Sequence, residues 1–175
     1  MQKNIYNTTF KAKLISKNNK YYLQFLDNTV LEASLTNSFR NYLYNSDIDL
    51  DKYYIFKGEY RTRPDKNNKS ILTVNKLLGI DDSSKDEKEF SIIGRVYRVY
   101  NSQIDKDYDD YNFLLVNLYK RDYRHSLKLC YDWDLSSIKG IDLDKKGNPI
   151  LIDKTCRFKV ERVKDKLVIN DLEIL

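Results

Sequence analysis

Each half of this 175-residue chain ends in the same pair of alternating runs, and that duplication limits the available folds more than any other feature. YYIFKGEYRTR, from Tyr53, answers TCRFKVERVKD, from Thr155, with Phe-Lys and then Glu in step. SILTVNKLLGI, from Ser70, answers KLVINDLEIL, from Lys166, with Leu, Val or Ile, Asn and Leu in step. Large side chains at every second position suit a pleated surface buried on one side, and no 3.6-residue apolar stripe is sustained. Two copies of one five-stranded unit account for such a repeat better than a single large fold does. The expected division is residues 1–80, a connection at 81–88, and residues 89–175. The connection, DDSSKDEK, has no apolar residue to bury.

In the first copy, strands are expected at Thr8 to Lys17, Lys20 to Leu26 and Thr29 to Leu35, turning at Asn18-Asn19 and Asp27-Asn28. Thr36 or Asn37 then caps a short helix ending near Tyr44, and strands at Lys52 to Arg63 and Ser70 to Ile80 complete the unit. In the second copy, strands are expected at Phe90 to Tyr100, Tyr111 to Arg121 and Tyr123 to Trp133. Gly94, inside a bulky run, suits a bulge or sharp bend. A short helical turn near Leu135 to Lys139 and a loop around LDKKGNP follow, because Gly140, Gly147 and Pro149 prevent a continuous helix.

The order from Phe90 to Trp133 is strand, acidic loop, strand, tight turn, strand. It resembles the opening meander of an OB-fold, and IIGRVYRV, from Ile92, resembles the first strand of bacterial single-stranded-DNA-binding proteins. The resemblance implies an all-β fold of two small five-stranded OB-like Greek-key barrels in tandem, each with a short helix or loop between strands three and four. It also implies ligands lying across the second and third strands and the adjoining loops, which favours Tyr119 and Lys128.

Composition points to an anionic partner. Lys and Arg number 31 against 26 Asp and Glu, a net charge of +5, and residues 1–80 alone carry 13 basic and 7 acidic side chains. Single-strand binding needs rings for bases to stack on and cations for phosphates, and the 15 tyrosines supply rings freely. The candidate contacts are Lys11, Lys13, Tyr22, Tyr53, Lys57, Arg61 and Arg63 in the first unit. In the second they are Arg95, Tyr97, Phe113, Tyr119, Arg121, Arg124 and Lys128. The lysine stripe of the first strand would serve equally to guard a solvated edge. The expected partner is single-stranded nucleic acid, DNA rather than RNA, with the alternative that the near-neutral second unit is an adaptor binding protein.

Other chemistries find little support. His125 is the only histidine, and with Cys130 and Cys156 it supplies three soft ligands without paired spacing. The run Asp105, Asp107, Asp109, Asp110 has the one-three-five spacing of a calcium loop, but Asp110 stands where glycine belongs and Val116 where a bidentate Glu is needed. Those carboxylates are the sole support for a divalent-ion nuclease. The expectation is no catalysis, no cofactor and no metal, in an intracellular protein with two thiols, no membrane span and no secretory signal.

Overall fold

The chain alternates apolar and polar residues because ten strands form two rings, each with one wall against a core. The computed structural model describes residues 8–63, 69–79, 88–100, 112–118 and 126–175. The first ring comprises β1 (Thr8–Lys17), β2 (Lys20–Phe25), β3 (Val30–Leu35), β4 (Tyr53–Arg63) and β5 (Lys69–Gly79). The second comprises β6 (Glu89–Tyr100), β7 (Asn112–Leu118), β8 (Ser126–Tyr131), β9 (Thr155–Val163) and β10 (Lys166–Ile174). The spatial orders β1-β2-β3-β5-β4 and β6-β7-β8-β10-β9 are the same, and each closes where its fourth strand pairs with its first. The fold class is therefore the expected one, all-β with two five-stranded closed sheets. The connection at 81–87 lies outside the described residues.

Phe10, Ala12 and Leu14 of β1 face Phe25 and Leu23 of β2 and Tyr54 and Phe56 of β4 across the first core. The β1–β2 connection is two residues, Asn18 and Asn19, with φ of 53° and 61°. That left-handed pair matches the strand twist, and asparagine tolerates it. The helix α1 (Asn37–Tyr44) begins where Thr36 Oγ1 accepts the Phe39 amide at 3.3 Å. Its one buried residue, Phe39, meets Phe56 edge-on at 6.1 Å and so plugs the barrel's end. In the second barrel the same connection holds only a 3-10 turn, Leu135–Ser137. Leu143 and Pro149, the ends of the expected LDKKGNP loop, then form an isolated antiparallel bridge that closes it into a narrow ribbon.

The repeat extends below the level of strands. In the first barrel Asn75 is passed over between the pairs Lys57–Lys76 and Gly58–Val74. In the second, Asn170 is passed over between Lys159–Asp171 and Val160–Ile169. The shared asparagine thus marks one bulge, built twice.

The two barrels meet through matching ends and share one continuous core. Tyr60 and Arg162 each follow the Phe-Lys-x-Glu segment of their own barrel. Tyr60 lies edge-on to Phe90, 5.5 Å between centroids, and the Arg162 guanidinium carbon sits 3.8 Å above the Phe25 ring. Arg162 also donates its amide to the Lys88 carbonyl at 2.8 Å. Burial works against the nearby Asp27 carboxylate, yet hydrogen bonds from Thr29 and the charges of Arg162 and Lys88 hold its pKa below the ordinary 3.8.

Gly94 is not itself the bulge, which falls three residues later at Tyr97, between Val96 and Arg98. A Cβ there would run into Val116 Cγ1 and lie 2.8 Å from the Asn117 carbonyl oxygen. The constraint is close strand approach. Gly94→Ala is therefore expected to lower stability by about 1–3 kcal/mol, read as a lower urea midpoint with an unchanged slope.

Candidate nucleic-acid interface

In the first barrel the alternation of β1 and β4 places core residues inward and cations outward, so one outer wall collects four lysines. Lys13 stands opposite Tyr53, Lys11 opposite Ile55, and Thr9 opposite Lys57. Ile55 lies on that wall and is buried. On the other side of β4, Lys57 stands opposite Lys76 of β5. Among the described residues neither Lys57 nor Lys76 has an acidic partner. Two like charges facing each other across a strand pair destabilise the sheet locally, so the pairing asks for a counter-charge.

The second barrel uses the same positions differently. Lys159 and Asp171 occupy the register that Lys57 and Lys76 occupy in the first, so cation faces carboxylate. Arg157 completes the contrast by pairing with Glu173 at 2.9 Å. At this register the facing cations are thus uncompensated in one barrel and balanced in the other.

Two expected contacts, one on the first strand of each barrel, turn out to be partners of acids. Lys13 Nζ lies 2.9 Å from Asp51, and Arg95 lies 2.7 Å from Asp153. Asp51 and Asp153 each stand two residues before strand four and are each followed by a lysine, so this ion pair is itself repeated. The hydrogen bond and charge of Asp51 raise the pKa of Lys13. The Asp-Lys dipeptide is the sequence signal for this pair, and it is legible only once the strands are aligned in space. Both pairs are at the surface and hold little stability.

The remaining candidates divide. Tyr22 lies half-buried on β2, opposite Ile15 and Glu32. Arg61 donates to Glu59 at 2.8 Å, and Arg63 stands opposite Lys69 at the start of β5. Tyr97 sits half-buried at the β6 bulge. Tyr119, Arg121 and Arg124 lie outside the described residues, as do His125 and the acidic run at 105–110.

Phe113 and Lys128, expected to face a ligand across β7 and β8, are closed off. They are 1% and 7% exposed, and Lys128 Nζ lies 4.4 Å from the centroid of the Phe113 ring. Tyr100 stacks on the same ring at 4.4 Å, with Leu115 and Cys130 buried beside it. Here ring and cation serve each other. Every residue of β8 is buried, and β4 and β5 of the first barrel lie against it. Alternation identifies which face these side chains occupy, but packing decides whether a face is open.

Among the described residues no group of three or more His, Cys, Asp or Glu side chains could hold a metal ion. Nor, among them, is any helix long and apolar enough to cross a membrane. No family model matches the chain, and no curated protein matches it in sequence.

Burial raises the Tyr131 phenol to about 12 and the Cys156 thiol to about 11, from ordinary values of 10.0 and 9.0. Between each pair of values the unfolded chain has released a proton that the folded chain still holds, so stability falls as pH rises. Urea midpoints are expected to hold up to pH 9 and decline from there to pH 12. Tyr131→Phe should remove the part of the decline that begins near pH 10.

Proposed function

We propose that this is a non-catalytic single-stranded nucleic-acid-binding protein whose first barrel carries the site. The observation behind the proposal is Lys57 opposite Lys76, with Lys11 and Lys13 continuing the cationic wall and Tyr53 beside it. A strand's phosphates supply the missing counter-charge, and exposed rings supply stacking surface, a combination tolerant of base sequence. The shared strand order first-second-third-fifth-fourth supports reading each ring as an OB barrel, and the first ring adds a helix before its fourth strand. The likeness of IIGRVYRV to the first strand of bacterial single-stranded-DNA-binding proteins favours DNA over RNA. The placement departs from that family, whose ligands cross the second and third strands; here the cations gather on strands one, four and five.

A second reading, that the second barrel is an adaptor for a protein partner, draws on its ribbon between β8 and β9. Leu143, Ile150 and Ile152 are 49%, 42% and 53% exposed there. Tyr131, which that reading needs at the surface, is buried.

Fluorescence anisotropy on the intact chain separates the two. A labelled DNA single strand is expected to bind more tightly than a duplex and more tightly than RNA, with affinity falling as salt rises. Lys57→Gln with Lys76→Gln should weaken binding and flatten the log–log salt dependence by roughly 0.7 for each phosphate that is no longer neutralised. No binding of any strand at low salt would overturn the proposal in favour of the adaptor.

A further inference from the structure

Beside the lysine pair lies a cavity of about 360 Å³ between α1 and β5, lined by Ser38, Phe39, Tyr42, Asn75, Lys76 and Leu77. We infer that this cavity receives one unstacked nucleobase of the bound strand, with Tyr42 as stacking platform and the Asn75 amide at the base edge. The inference rests on the nucleic-acid reading above and assigns the base-binding part of the site.

Four observations carry it. The volume falls in the range of roughly 300–1,000 Å³ typical of small-ligand pockets, and Leu77 and Phe39 give it an apolar floor. Tyr42 is stacked on Phe39 at 6.1 Å and 29°, yet remains 48% exposed, so its ring is held in place from the core side and open on the other. A ring held that way loses little freedom when a base settles on it. Asn75 is the residue passed over by the β5 bulge, and a bulge re-aims the side chain it carries. The amide offers both a donor and an acceptor, the pair of groups a base edge presents. Lys76 both lines the cavity and faces Lys57, so a base inserted here leaves its phosphate on the cationic wall.

The second barrel, built on the same frame, lacks these parts. Its bulge residue Asn170 donates to Glu161 at 3.4 Å, and a 3-10 turn stands where α1 would be. Asn170 also lines a cavity, of about 440 Å³ against β8 and the β9–β10 turn, but without a helix-borne ring or a facing lysine pair; both accompany Asn75.

The test compares a labelled oligothymidylate with a strand of the same length made of abasic deoxyribose phosphates, using the intact chain. Tyr42→Ala is expected to weaken oligothymidylate binding roughly 5- to 150-fold, to leave abasic-strand binding unchanged, and to preserve the salt slope. Tyr42→Phe, which keeps the ring, should bind like the parent, and matching urea midpoints establish that the alanine variant is folded. If Tyr42→Ala binds oligothymidylate as tightly as the parent, or weakens both strands equally, the base pocket is wrong while the lysine wall stands. If the parent protein binds neither strand, both readings fall.

Discussion

The architecture depends on one strand per barrel making two sets of hydrogen bonds. β4 pairs with β1 on one side and β5 on the other, and β9 does the same with β6 and β10. Without that double pairing each unit would be an open sheet with two exposed edges, a form prone to aggregation. Closure removes the edges and traps the inward residues Phe56 and Phe158, both fully buried, at the centre of each ring. The Phe-Lys-x-Glu repeat marks this strand because its Phe is the inward anchor and its Lys the outward neighbour.

A common frame in the two halves leaves the outer walls free to differ. At one register position the first barrel sets lysine against lysine, and the second sets lysine against aspartate. The bulge asparagine lines a cavity in both barrels, beside the exposed Tyr42 ring in the first and tied to Glu161 in the second. The barrels also join reciprocally, Tyr60 reaching Phe90 and Arg162 reaching Phe25. Buried rings and an arginine at that junction make each barrel part of the other's core. The two units thus share one topology and one interior, and the polycationic wall belongs to the first alone.

Much of the fold is legible in the sequence, for reasons visible in single residues. Strict alternation in TTFKAKL separates Phe10, Ala12 and Leu14 from Thr9, Lys11 and Lys13, so both faces of β1 follow from a period of two. Thr36 signals the helix start because its hydroxyl can satisfy an end amide. The candidate site is legible only in part. Lys11, Lys13, Tyr53 and Lys57 do share a wall, but Lys76 and Tyr42 carry no local signal, and the repeat that marks Asn75 does not show what its side chain meets. Nothing in NKLL or RNYLY shows that a helix of one segment and a strand of another enclose a cavity. Phe113 and Lys128 mislead for the converse reason, since a residue pointing away from its own barrel's core can still be buried.

The chain's residue pattern alone determined strand identity, the inward face of each strand and the doubling of the unit, because a pleat repeats every two residues and a repeat is visible wherever it occurs. Tertiary structure decided which outward residues meet solvent, which cations are matched by acids and where a cavity opens. Those outcomes depend on distances between segments far apart in the chain, and no local period encodes them.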